Sequence, residues 1–146
     1  MKRNVFLFFI CFLIFSTISV YTQEYDSQAL KYLKSGIENL MNGNYYKAIE
    51  DCTRVIRIDP KSAVTYVIRA RAYFELGDMD KAIADSTLAI RRDRENIGAY
   101  SVRGNAYGQK GDTDKAIADW KAILKINPDY DEAKINIEKA GLQRSF

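Results

Sequence analysis

The sequence LGDMDKAIAD at residues 76–85 contains the pattern that decides the fold, because the chain repeats it at a fixed interval. The related sequence KGDTDKAIAD lies at 110–119, and a weaker copy, NGNYYKAIED, lies at 42–51, so the period is 34 each time. Residues 63–96 and 97–130 are identical at 12 of 34 positions, whereas about two identities are expected by chance from typical residue frequencies. The chain therefore contains three copies of one structural unit.

Each unit is predicted to form two helices. In the second unit, apolar residues recur at helical intervals and stop before Gly77, which suits the left-handed residue that follows a helix. Asp78 can then cap the next helix through its carboxylate. The pattern predicts seven helices, at 27–42, 45–58, 62–76, 79–92, 96–110, 113–126 and 130–142, and no strand of useful length after residue 24.

The recurring positions resemble the signature of the tetratricopeptide repeat (TPR) family, whose unit has about 34 residues. The third unit matches this signature at Tyr100, Gly104, Tyr107, Ala116, Trp120 and Pro128. The second matches at Tyr66, Ala70, Tyr73, Ala82 and Ala89, but has Ser86 and Arg94 at the places of Phe and Pro. The first matches at Tyr32, Gly36, Ala48 and Pro60, but has Asn39 and Cys52 at the places of Tyr and Phe.

This resemblance implies an all-α fold, a right-handed superhelical solenoid of helix-turn-helix units. The three TPR units are expected at 29–62, 63–96 and 97–130, followed by a capping helix and tail at 131–146. A pair of such helices cannot bury its apolar face alone, so the units are expected to stack into one core.

Residues 1–22 have a composition of their own and are predicted to be a signal peptide. Lys2 and Arg3 precede an uncharged apolar run at 5–15, and small polar residues follow this run. The mature chain is expected to begin between residues 20 and 24, so the protein is expected to be exported and to be periplasmic, in the cell envelope or secreted.

The alternative for this segment is an uncleaved membrane anchor at 5–21. That stretch is at the short end of the about 17–25 residues that a membrane-spanning helix uses. In this alternative the membrane is a partner of the chain only through its amino-terminal segment.

Composition argues against an enzyme. The chain has no histidine, which removes histidine general bases, Ser-His-Asp triads and histidine metal sites. The two cysteines cannot form a four-thiolate zinc site, and Cys52 is expected to be a buried, inert side chain among apolar neighbours. A net charge of +3 is too small to indicate a nucleic-acid partner. We therefore expect no catalytic residue, no cofactor and no metal site.

The resemblance implies a protein-interaction module that grips a peptide or a helix in a concave groove made by the first helices of its units. The candidate groove residues are Leu33, Ile37, Leu40, Val67, Arg71 and Phe74. The groove positions change from apolar in the first unit to polar in the third. The alternative function is a structural or scaffold subunit of an envelope or secretion assembly.

Family members that bind chaperone tails use a carboxylate clamp of Lys, Asn and Arg side chains. The matching positions in this chain are Leu33, Ile37, Ile68, Gly98 and Val102. None of these residues is polar, so the resemblance does not extend to the clamp.

The recurring aspartates are predicted to be structural, because they repeat with the architecture and an active site is local. Arg69 follows Asp51 in the chain at the same offset, 18, at which Arg103 follows Asp85. The sequence therefore predicts two ion pairs, Asp51–Arg69 and Asp85–Arg103, each linking one unit to the next.

Overall fold

The computed structural model describes residue 24 and residues 27–143, and the predicted signal peptide or anchor lies outside this part of the chain. Seven helices are present in it, and none of the described residues forms a strand. Helix α1 spans 27–41, and the others are α2 Tyr45–Ile58, α3 Ala63–Glu75, α4 Met79–Arg92, α5 Ile97–Gln109, α6 Thr113–Ile126 and α7 Asp131–Gln143. The predicted helix boundaries agree to within one residue from residue 27 onward. No helix in the described range has the length and apolarity that a membrane crossing needs.

The turn inside each unit is made by a glycine with a left-handed backbone. Gly43, Gly77 and Gly111 have φ of 74°, 80° and 81°, a region that residues with a Cβ atom seldom adopt. In the second unit, the N–H of Asp78 then bonds the carbonyl of Tyr73 at 2.9 Å, which closes the helix end. The Asp78 side chain accepts a hydrogen bond from the N–H of Lys81 and caps α4, as the sequence predicted.

Small residues let the two helices of a unit approach each other. Ala48, Ala82 and Ala116 stand at equivalent positions and are completely buried. Consecutive helices pack from α2 to α7, and α3 also contacts α5, so the first helices of neighbouring units lie side by side. The stacked pairs therefore bury their apolar side chains in successive clusters along the stack, as expected of a solenoid.

Helix α7 covers the end of this stack. Its residues Ala133 and Ala140 are buried in a cluster with Trp120, and Tyr130 and Ile137 pack against the same cluster. The predicted role of α7 as a cap is confirmed.

In the second and third units the recurring aspartate pairs with an arginine of its own unit, so the two predicted pairs, Asp51–Arg69 and Asp85–Arg103, are wrong. Arg69 Nε and Nη2 donate to the two carboxylate oxygens of Asp85 at 2.7 and 2.9 Å. Arg103 donates in the same way to Asp119, at 2.8 and 2.7 Å. The physical reason is that the two helices of one unit face each other across the alanine contact. This contact sets each arginine opposite the aspartate that follows it in its own unit, whereas the predicted pairs would have joined neighbouring units.

The arginines do link neighbouring units, although through hydroxyl groups. Arg69 Nη1 donates to Thr53 Oγ1 at 3.0 Å, and Arg103 Nη1 donates to Thr87 Oγ1 at 3.2 Å. Each threonine belongs to the second helix of the preceding unit. One guanidinium therefore holds a carboxylate of its own unit and a hydroxyl of the unit before it.

The first unit has no arginine at this position and satisfies its aspartate differently. Ser35 Oγ donates to Asp51 Oδ2 at 2.7 Å, and Asn39 Nδ2 donates to the same oxygen at 3.0 Å. Asp51 was predicted to pair with the guanidinium of Arg69. In the structure, two neutral side chains donate to it instead.

Candidate functional site

A hollow of about 400 Å³ opens between α3, α5 and α7. Helices α3 and α5 are the first helices of the second and third units, and α7 is the cap. The predicted groove is made by first helices, so it includes α3 and α5. The hollow is lined by Phe74, Asn105, Gly108, Gln109, Trp120, Glu132, Asn136 and Ala140. Its walls therefore combine two aromatic rings with amide groups and a carboxylate.

Trp120 lies at the bottom of the hollow and is the only tryptophan of the chain. Its Nε1 donates to Asn105 Oδ1 at 3.2 Å. The indole packs so closely on α5 that a Cβ atom at Gly104 would lie 2.8 Å from Nε1. At Gly108 a Cβ atom would lie 3.7 Å from the indole Cη2, an ordinary contact. Packing against Trp120 thus requires a glycine at position 104, whereas at position 108 there is room for a side chain.

Amide and carboxylate groups form the wall on the α7 side. Asn136 Nδ2 donates to Asn105 Oδ1 at 3.4 Å, so this oxygen accepts two hydrogen bonds. The Tyr130 hydroxyl donates to Glu132 Oε2 at 3.2 Å. Burial, followed by the negative charge of Glu132, raises the pKa of Tyr130, so the phenol stays protonated and keeps donating.

Phe74 belongs both to the core and to the hollow. Its half-buried ring packs against a cluster that includes Ala70 and Val102. The Arg71 guanidinium lies 5.9 Å from the centroid of this ring, and its Nε donates to Glu75 at 2.7 Å. Arg71 is therefore already paired on its own helix.

The six predicted groove residues do not all contribute to this hollow. Of these residues, only Phe74 lines it. Arg71 is exposed beside the Phe74 ring without lining the hollow, Ile37 is exposed, and Leu33, Leu40 and Val67 are partly buried. The surface near the first unit is apolar, since Leu30, Ile37, Met41 and Val64 are between 40% and 81% exposed.

Three lining residues come from α7 and were missed, because the sequence predicts this helix only as a cap. Glu132, Asn136 and Ala140 recur at intervals of four, which places them on one helical face. That interval was the available signal. The hollow thus draws on the cap as well as on the repeats.

The positions of the carboxylate clamp hold no charge in the folded chain. Ile68 and Val102 are buried in the packing between helices. Gly98 is close to α3, because a Cβ atom there would lie 3.3 Å from Val67 Cγ1. Leu33 and Ile37 occupy the other two clamp positions. None of the five residues has a side-chain hydrogen-bond donor.

Cys52 is buried and free, as the sequence predicted. Burial, the largest influence, raises the pKa of the Cys52 thiol from 9.0 to about 12. The neutral thiol is a poor nucleophile, so this residue acts in packing.

Family models and solved structures point to the same family. Models of the tetratricopeptide repeat match residues 63–96 and 98–134. The first TPR domain of human RPAP3 is 30% identical, with a TM-score of 0.77, over 81% of this chain and 93% of that chain. No curated protein matches at a significant level.

Two further solved structures contain bound peptides. The first TPR of Spaghetti (RPAP3), bound to the HSP90 peptide SRMEEVD, is 29% identical with a TM-score of 0.79, over 82% of this chain and 95% of that chain. The second TPR domain of human RPAP3, in complex with the HSP70 peptide SGPTIEEVD, is 29% identical with a TM-score of 0.76, over 80% of this chain and 98% of that chain. With its repeat period, its glycine turns and its stacked helix pairs, this chain belongs to the tetratricopeptide repeat family.

Proposed function

We propose that this protein is a non-enzymatic interaction module that holds a segment of another protein across the face formed by α1, α3, α5 and α7. The observation that carries the proposal is the hollow between α3, α5 and α7, which has an aromatic floor and polar walls. Such a mixture of apolar surface and a few placed polar groups is typical of ligand sites. The peptide complexes of similar TPR domains support the same class of partner.

The bound segment runs from the hollow toward the first unit. There it meets an apolar surface that includes Ile37, Val64 and Met41, all of them exposed. Leu33, Leu40 and Val67 are partly buried. An extended or helical segment with apolar residues at one end and polar residues at the other fits this change along the face.

An acidic carboxyl-terminal tail is not the proposed ligand. The peptides in the two similar complexes end in EEVD. Here the clamp positions Ile68, Gly98 and Val102 offer no cation and no side-chain donor. Placing a carboxylate on an apolar surface without a partner is unfavourable, so the ligand class differs from that of these domains.

We propose further that the mature protein is exported. The support is the basic start, the apolar run at 5–15 and the small polar residues that follow. Amino-terminal sequencing of the native protein should give a start between residues 20 and 24. A start at Met1, with the chain recovered in membranes, would favour the anchor.

Filling the hollow tests the proposed interaction. Gly108→Leu places a side chain over the hollow, while Gly141→Leu is the matched control, because a Cβ atom at Gly141 meets nothing within 4 Å apart from its chain neighbours and the backbone of its own helix. Both variants and the parent are used to capture partners from extracts of the native cells, with quantitative mass spectrometry.

The proposal expects a set of partners that Gly108→Leu loses and Gly141→Leu retains, with melting temperatures that show both variants folded. Equal capture by both variants would contradict binding at the hollow.

A further inference from the structure

We infer that the hollow between α3, α5 and α7 receives a cationic side chain, lysine or arginine, from the bound segment. This inference rests on the proposed function and specifies its chemistry. It follows from the charge of the hollow, from its aromatic floor and from the open position at Gly108.

The charge of the hollow is negative. Among the residues that line it, Glu132 is the only one of a charged type. The Arg71 guanidinium stands at the rim of the hollow, over Phe74. It pairs with Glu75 on α3, so these two charges offset and Glu132 decides the sign of the net charge. Glu132 accepts one hydrogen bond from Tyr130 through Oε2, which leaves capacity on its other oxygen for a further donor.

The amide groups add acceptors at the same wall. Asn105 Oδ1 already accepts hydrogen bonds from Trp120 and Asn136. Because Asn136 donates there through Nδ2, its own Oδ1 remains an acceptor. Asn105 Nδ2 and the Gln109 amide also offer donors, so the amide groups accept either kind of charged group. The carboxylate of Glu132 therefore decides the preference for an ammonium or guanidinium group over a carboxylate.

The floor suits the stem of the same side chains. Phe74 and Trp120 offer aromatic carbons beside the carboxylate. Lysine and arginine place their methylene stems on apolar surface and keep the charged end at a polar site, and aromatic rings attract cations in addition. The guanidinium of Arg71 already lies over Phe74, so the ring left for an incoming cation is the edge of Trp120 beside Gly108.

Gly108 keeps the floor accessible. A glycine inside a helix lowers the stability of the protein relative to alanine, so its presence needs a reason. At Gly104 the reason is close contact with Trp120. At Gly108 no neighbour lies closer than 3.7 Å to the missing Cβ atom, and the nearest atoms belong to the indole. A side chain at this position would therefore cover the edge of Trp120 without disturbing the fold.

The single tryptophan makes the inference testable by nuclear magnetic resonance. The probes are three capped tripeptides, acetyl-Ala-X-Ala-amide, in which X is lysine, norleucine or glutamate. Each is titrated into the 15N-labelled mature protein while the indole N–H resonance of Trp120 is followed. We expect the lysine probe to shift this resonance saturably and to bind about tenfold more tightly than norleucine, its uncharged counterpart.

Two neighbouring carboxylates provide the variant and its control. Glu132→Gln removes the charge from the hollow and should abolish the preference for lysine over norleucine. Asp131→Asn removes the adjacent charge, which does not line the hollow and pairs with Lys134, and should leave the preference unchanged.

The inference is overturned if norleucine or glutamate binds as well as lysine, if Glu132→Gln retains the preference, or if no probe shifts the resonance. Its failure is distinguishable from failure of the proposed function. If Gly108→Leu still loses partners that Gly141→Leu captures, the hollow binds a segment, but one of another chemistry.

Discussion

The first and third units have the same helices but fill equivalent positions with different chemistry. Asp119 is held by the guanidinium of Arg103, while its counterpart Asp51 is held by the neutral side chains of Ser35 and Asn39. The next position is Trp120 in the third unit and Cys52 in the first.

This difference shows which features the architecture requires and which it leaves open. The turn glycine, the buried alanine and the aspartate recur in every unit because each satisfies a backbone or packing need. The partner of the aspartate and the residue after it can vary, and in the third unit the residue after it forms the floor of the hollow. The function is therefore expected where the units differ.

The largest expected effect is the loss of the recurring carboxylate. Asp119→Ala leaves the half-buried Arg103 without its carboxylate, and we expect a decrease of about 3 kcal/mol in the free energy of unfolding. Asp51→Ala removes only an acceptor of bonds from Ser35 and Asn39, and should cost about 1 kcal/mol. Urea denaturation of both variants measures this difference, and equal losses would contradict the distinction between the units.

The second comparison is between the glycines that face the variable position. Gly104→Ala places a methyl group 2.8 Å from Trp120 Nε1, and the overpacking should lower the free energy of unfolding by about 2 kcal/mol. Gly36→Ala meets Cys52 Sγ at 3.2 Å, a single movable atom, and the better helix propensity of alanine offsets this contact, so the change should stay within about 1 kcal/mol. Urea denaturation compares the two variants. A larger loss at Gly36 than at Gly104 would show that the thiol is the more rigid neighbour.

The third prediction concerns pH and the buried thiol of the first unit. Burial raises the pKa of Cys52 from 9.0 to about 12, so the unfolded chain ionises at a lower pH than the folded one. The stabilisation is therefore complete below pH 9 and is lost between pH 9 and pH 12, with about 1.4 kcal/mol lost at pH 10. Cys52→Ala should remove this part of the decrease between about pH 8 and pH 10, measured by urea denaturation. An unchanged decrease would mean that the thiol does not contribute.

The smallest effect has the opposite sign. Gly108→Ala adds a methyl group at a helix position where the nearest neighbour is 3.7 Å away. We expect a gain of about 0.5–1 kcal/mol in the free energy of unfolding. Thermal denaturation beside Gly104→Ala checks the sign, and a loss of stability at both positions would contradict the assignment of Gly108 to the hollow.

The helices could be predicted from the sequence because their determinants are local. The glycine at 77 and the capping Asp78 fix the ends of two helices within a short stretch of chain, and the repeat period transfers this result to the other units. The capping role of α7 is also readable from local sequence, because its apolar residues Ala133 and Ile137 are four apart and share one helical face.

The ion pairs could not be predicted in the same way. Arg69 has one recurring aspartate before it, Asp51, and another after it, Asp85, and the period is compatible with either partner. The relative orientation of the helices decides which aspartate pairs with Arg69, and this orientation depends on packing over the whole unit.

The site was predicted only in part for a related reason. Phe74 was recognised as a groove residue, but the hollow also needs Glu132 and Asn136, whose helix carries the charges of a solvated cap. Which face of α7 meets the groove depends on how the cap packs on Trp120, and no repeat provides a precedent for it.

The most direct test of the account is site-specific photo-crosslinking. A benzoylphenylalanine is introduced at Gln109, which is exposed and lines the hollow, or at Lys121, which is exposed on α6 and does not line it. After irradiation in native cells, the cross-linked partner segments are identified by mass spectrometry. We expect a defined segment of another protein to be cross-linked from position 109 and none from position 121. Cross-links of equal yield from both positions, or from 121 alone, would contradict binding in the hollow.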